Sequence, residues 1–107
     1  MGAPPEADYA DRLVWALDHP LAERRMVAAQ VLGQRREARG ADRLYRLARS
    51  RHDPYLAAAA LRALVSITGQ PACADLLAEL AQCGPVPVRQ TVHDLLEQPQ
   101  NGEQVDR

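Results

Sequence analysis

The chain has 107 residues, 47% hydrophobic but only 4% aromatic and without Phe, so one domain of ordinary size is expected with a core of Ala, Leu and Val. Its net charge of −1 excludes a global electrostatic pull toward nucleic acid or an anionic membrane. No apolar run approaches the roughly 20 residues that a spanning helix needs.

Residues 1–7 contain Pro4 and Pro5 and are expected to form a flexible arm. The opening MGAPPEADYADR is acidic and lacks the basic and apolar regions of a secretory signal. Gly2 also lacks the following Ser or Thr of a myristoylation motif, so a cytoplasmic location is expected by default. A first helix is predicted over 8–17, with Tyr9, Leu13, Ala16 and Leu17 as its apolar stripe and Asp8 and Asp11 at the positive end of its dipole. Asp18-His19-Pro20 reads as a turn. A second helix is predicted over 21–34, with Ala28, Val31 and Leu32 inside and Gly33 near its end. After a basic linker over 35–40, a third helix is predicted over 41–51, with Leu44, Leu47 and Ala48 inside.

The stretch DPYLAAAALRALVSITG is the most complete local signal in the chain. Asp53 is a natural N-cap, and Pro54 suits the first helical position because no N–H is needed there. Leu56, Ala60, Ala63, Leu64 and Ile67 recur at helical spacing, and Gly69 supplies a stop. A fifth helix is predicted over 72–83, with Cys73, Leu76, Leu77 and Leu80 inside. Cys73 and Cys83 would then lie roughly 15 Å apart along one axis, too far for a disulfide, so both are expected as free thiols toward the apolar side. Gly84–Pro87 reads as a turn. A sixth helix is predicted over 88–98, with Val88, Val92, Leu95 and Leu96 inside. Gln90, Thr91, Asp94, Glu97 and Gln98 are expected to face outward and close the stack. Residues 99–107 are polar and expected to fray.

These helices repeat. Leu32, Leu64 and Leu96 are evenly spaced, as are Ala28, Ala60 and Val92, and Val31, Ala63 and Leu95. Leu13, Leu44 and Leu76 follow with one residue of slip. A helical pair at this interval is a solenoid pattern, in which no unit buries its stripe alone but stacked units share a core.

The segments R-x-x-A-A-x-V-L-G at Arg25–Gly33 and V-R-x-x-V-x-x-L-L at Val88–Leu96, with the Asp53-Pro54 turn, resemble HEAT-like repeats, most closely the short variety of phycobilin lyase-type proteins. The resemblance implies an all-α fold: a right-handed superhelical α-solenoid of three HEAT-like helix pairs, six helices in all. It covers residues 8–98, with repeats at about 8–34, 41–68 and 72–98, between a flexible arm (1–7) and tail (99–107). It also implies a ladder between turn Asp and second-helix Arg. Only the first repeat keeps both members, Asp18 and Arg25.

No catalytic constellation is evident. Two of the three histidines, His19 and His52, fall in turns, and no Cys or His pair has zinc-ligand spacing. No G-x-S-x-G or phosphate-cradling glycine cluster is present. No enzyme activity and no cofactor are therefore expected. There is no lysine, so all 13 basic residues are Arg, which fits either a surface for carboxylate or phosphate contacts or a coding bias toward GC. Residues 24–51 carry +7, and the segments before and after carry −4 each. Arg36, Arg39, Arg43, Arg46 and Arg49 thus form a candidate basic patch, read either as a dock for an acidic partner or nucleic acid or as a solvated face opposed by acidic repeats. Trp15 points away from Leu13 and Leu17, either as an exposed anchor or as a residue covered by the arm or packed at the end of the stack.

By the resemblance, the second helices line a concave face. Its outward register is Met26, Gln30 and Gln34, then Ala58, Arg62 and Ser66, then Gln90, Asp94 and Gln98. From these, Gln30, Gln34, Arg62, Ser66, Gln90 and Asp94 are taken as candidate partner-binding residues. The expected function is a non-catalytic adaptor or scaffold that binds another protein as a monomer. The alternatives are nucleic-acid or acidic-partner binding through the Arg patch, or an accessory role to a cofactor-carrying enzyme.

Overall fold

The computed structural model describes residues 8–97, so the expected arm, the expected tail and Gln98 lie outside the described residues. Six helices follow one another: α1 (Tyr9–Ala16), α2 (Ala22–Arg35), α3 (Ala41–Ala48), α4 (Pro54–Thr68), α5 (Ala74–Cys83) and α6 (Val86–Glu97). Short 3₁₀ turns at Ala38–Gly40 and Pro71–Cys73 lead into α3 and α5. There is no strand among the described residues.

Local chemistry sets the helix ends. The Asp8 carboxylate accepts from the Asp11 N–H at 3.0 Å and so caps α1. Asp53 caps α4 in the same way, accepting from Leu56 N–H at 3.1 Å. Helix α3 stops at Ala48, three residues earlier than expected. The Ser50 hydroxyl there accepts from the His52 N–H at 3.2 Å, a local bond that competes with helix continuation. At the other turn the difference is reversed: α6 already begins at Val86. Pro87 falls in its first turn, where a missing N–H costs no helical bond.

Gly33 lies near the end of α2, as expected. It is buried within α2, and a β-carbon placed on it would sit 2.8 Å from Ala63 Cα of α4. The absence of a side chain lets the two backbones meet. The helix ends three residues later at Arg36, in the left-handed region at φ 53°. Arg36 N–H donates to Gly33 O at 3.1 Å and Glu37 N–H to Leu32 O at 3.0 Å, the paired bonds of a Schellman motif.

Helix α4 is the centre of the core. It packs against α2, α3 and α6, and buries Leu56, Ala57, Ala60, Leu61, Ala63 and Leu64. The even helices α2, α4 and α6 approach one another more closely than the odd helices α1, α3 and α5 do. Small residues account for this: Ala28, Ala29, Gly33, Ala57, Ala60 and Ala63 are all buried. No buried side-chain polar atom among the described residues lacks a hydrogen-bond partner.

Several expected inward positions differ. Tyr9 is exposed and Ala10 takes its place inside, one residue along the same turn. Val31, Leu47 and Ile67 are half-buried. Cys73 is buried, but Cys83 lies exposed in the last turn of α5; both are free thiols. The largest departures are in α6. Leu32 and Leu64 are 0% and 5% exposed, but Leu96, their equivalent, is 59% exposed, because no fourth helix pair lies beyond it among the described residues. Thr91, expected outside, is buried at 4%, with its hydroxyl donating to Pro87 O at 2.9 Å. Of the other polar residues expected outward on α6, Gln90, Asp94 and Glu97 are exposed.

Candidate functional site

The outward faces of α2 and α4 run side by side. Between them is an open groove of about 380 Å³, lined by Gln30 and Gln34 from α2 and by Tyr55, Ala58, Arg62 and Ser66 from α4. Met26 and Gly33, where the two helices meet, also line it. Ala58 and Ala59 add apolar surface between the polar side chains.

Four of the six expected partner-binding residues, Gln30, Gln34, Arg62 and Ser66, converge on this groove. Asp94 of α6 joins it indirectly: Arg62 donates to its carboxylate at 3.1 Å, across one repeat. Gln90 is exposed on α6 outside the groove. The sequence reading missed Tyr55, which is 69% exposed and stands at the rim. The signal was present, since 55, 58, 62 and 66 fall on one helical face at spacings of three and four.

The arginine cluster has a different character from the open patch that the charge count suggested. Arg39 donates to both oxygens of Asp8 at 2.8 Å and to Asp11 at 3.0 Å. Arg43 pairs with Asp18, and Arg49 pairs with Glu79 at 2.5 Å. Arg51 donates to the carbonyl of Cys83 at 3.0 Å. The middle repeat therefore reaches back to the first repeat and forward to the third. The Asp11 N–H, then Arg39, hold the Asp8 carboxyl below its ordinary range, and Arg39 and Arg49 are pushed up by their carboxylate partners. Arg36 and Arg46 are exposed and form no ion pair among the described residues.

The two ladder residues that the first repeat keeps, Asp18 and Arg25, do not pair with each other. Asp18 turns outward to Arg43. Arg25 instead donates to the carbonyls of His19 and Pro20, at 2.7 and 3.1 Å, and braces the turn before its own helix. The spacing along the chain was compatible with either partner, and the geometry of the turn selects the carbonyls.

Trp15 is 47% exposed on α1, so it is not packed into the core. Tyr9 on the same helix is half exposed, with the Arg35 guanidinium 4.9 Å from its ring centroid, within cation–π range. Among the described residues, no group of three or more His, Cys, Asp or Glu side chains is placed to hold a metal ion. Nor is any helix long and apolar enough to cross a membrane.

Three like hairpins stacked through a shared core define an α-solenoid. The family model of HEAT repeats matches residues 10–97, and the chain belongs to that family. No curated protein and no solved structure matches the chain.

Proposed function

We propose that this protein is a non-catalytic binding module, an adaptor or scaffold that takes a segment of another protein into the groove between α2 and α4. The observation that carries this reading is the composition of the groove. Its apolar strip, Met26, Ala58 and Ala59, is flanked by the amides of Gln30 and Gln34, the Arg62 guanidinium and the Ser66 hydroxyl. Burial of the strip supplies non-directional attraction, and the flanking polar groups supply orientation. Tyr55 offers the kind of large, half-polar side chain that anchors protein contacts. HEAT repeats commonly serve as interaction scaffolds, which agrees with this role. The pairing of Arg39, Arg43 and Arg49 with carboxylates leaves the outer face less positive charge to offer phosphate, and so favours the groove over nucleic-acid binding.

Selection of a displayed random-peptide library against the full chain tests the proposal. Enriched peptides should bind the unaltered chain and lose at least about tenfold in affinity, or 1.4 kcal/mol, with Tyr55→Ala or Gln34→Ala. The same peptides should be indifferent to Arg46→Ala, on the other layer. Peptides that bind all three variants equally, or no enrichment at all, would remove the groove as the site.

A further inference from the structure

The groove between α2 and α4 combines unused amides with a lining of small residues. Gln30 and Gln34 are exposed, and their amides bond to no other group among the described residues, unlike that of Gln70, which donates to Leu95 O at 2.5 Å. Each free amide offers both an N–H donor and a carbonyl acceptor. The apolar lining is mostly Gly33, Ala58, Ala59 and Ala63, none of which carries more than a methyl group. Such a surface suits the close approach of a main chain better than the seating of large side chains.

The spacing of the polar side chains fits an extended chain. Gln30 and Gln34 are four residues apart on α2, as Arg62 and Ser66 are on α4, and four helical residues rise about 6.0 Å. Two residues of extended chain advance about 6.6 Å. An extended segment along the groove therefore reaches a new polar side chain on each wall at every second residue. It also brings an unpaired N–H and C=O at every residue. A helix brings peptide groups already bonded to one another and would leave both amides unmatched by its main chain.

Charge narrows the occupant further. Among the described residues, Arg62 is the one charged residue in the lining, which holds no carboxylate. It donates to Asp94 through a single nitrogen at 3.1 Å, with both side chains about half exposed. A guanidinium has five N–H donors, so donors remain for a second acceptor, and an exposed pair of this kind holds weakly. One carboxylate needs one such cation, whereas a nucleic-acid backbone needs a row of them. We propose that the groove takes an extended, acidic segment of another protein. The amides of Gln30 and Gln34 bond its main chain at every second residue, and Arg62 pairs with an Asp or Glu side chain on it. This rests on the binding role proposed above and adds the conformation and the charge of the occupant.

A displayed library of random peptides selected on the full 107-residue chain supplies the probe, and groove binders are those lost with Tyr55→Ala. They should share an Asp or Glu at a fixed position. Arg62→Gln should weaken them at least about tenfold. Asp94→Asn removes the competing carboxylate and should strengthen them about threefold. Both positions are exposed, so helix content by circular dichroism should be retained in both variants. Cα and Cβ chemical shifts of an isotope-labelled binder should be those of extended chain across the bound residues. N-methylation of its main chain should cost about tenfold at alternate residues and little at those between. Groove binders with helical shifts, or ones that Arg62→Gln leaves unchanged or Asp94→Asn weakens, would overturn this proposal while leaving the binding role in place. The absence of any groove binder would overturn both.

Discussion

Gly33 and Ala63 touch where α2 crosses α4, with room for no further atom: a methyl on Gly33 would lie 2.8 Å from the Ala63 Cα and 2.9 Å from its Cβ. Gly33→Ala would gain about 1 kcal/mol of helix propensity. The obstacle is backbone, however, and cannot rotate away, so overpacking of about 1–3 kcal/mol should outweigh the gain. The expected outcome of urea unfolding is a net loss of up to about 2 kcal/mol. A gain in stability would show that the helices can part without cost.

Arg36 offers the opposite case. It occupies the left-handed position of a Schellman motif, at φ 53°, where Gly is usual. Its side chain makes no hydrogen bond among the described residues. Arg36→Gly relieves the strained backbone at some cost in unfolded-chain entropy, and should raise stability by roughly 0.5–1 kcal/mol. Thermal unfolding followed by circular dichroism measures it.

The three register leucines should not be energetically alike. Leu32→Ala and Leu64→Ala each open a cavity in the core and should lose about 2–5 kcal/mol. Leu96→Ala removes a largely exposed side chain and should change stability by no more than about 0.5 kcal/mol in dilute solution. Equal losses at all three in denaturant unfolding would mean that Leu96 is covered in the isolated chain.

Asp8 links stability to acid pH. Its carboxyl is held below the ordinary 3.8 by the Asp11 N–H and by Arg39, so the folded state favours the ionised form. That contribution is complete above the unfolded value and fades as pH falls through the lower folded one. Asp8→Asn keeps a capping side chain but removes the charge. The gap in urea midpoint between the unaltered chain and Asp8→Asn should be constant from about pH 5 upward and close toward about pH 2. A gap that persisted at the lowest pH would have a source other than the carboxylate.

The two thiols should separate cleanly in reactivity. Cys83 is exposed, with its thiol donating to Glu79 O at 3.2 Å, whereas Cys73 is buried with its sulfur 3.1 Å from the Thr68 hydroxyl. One equivalent of a thiol reagent should react promptly with the native chain and the second only in denaturant. Cys83→Ser should abolish the prompt phase.

What the sequence made legible was local. Helix α4 runs over the residues expected of it because Asp53, Pro54 and Gly69 act on their immediate neighbours, and Leu32 and Leu64 are buried because a stripe at helical spacing is an intrinsic property of its own helix. Leu96 has the same stripe but ends up exposed, since its burial depends on a neighbouring unit that the periodicity takes for granted. The groove residues Gln30, Gln34, Arg62 and Ser66 could be placed together from register once the resemblance set the second helices side by side. The partners of Arg39, Arg43 and Arg49 could not, because a long side chain reaches several carboxylates, and the choice among them is made by turns such as the one Arg25 braces.

The pattern of those arginine contacts makes the order of the repeats irreversible. Arg39 and Arg43 hold the repeat before them, Arg49 and Arg51 the repeat after, and all four belong to the middle hairpin. Moved to either end, that hairpin would keep half of its handholds and leave the rest in water. The outer hairpins, placed side by side, would have none of these four arginines to join them. The units look alike along the chain, yet they are no more exchangeable than the links on either side of a buckle.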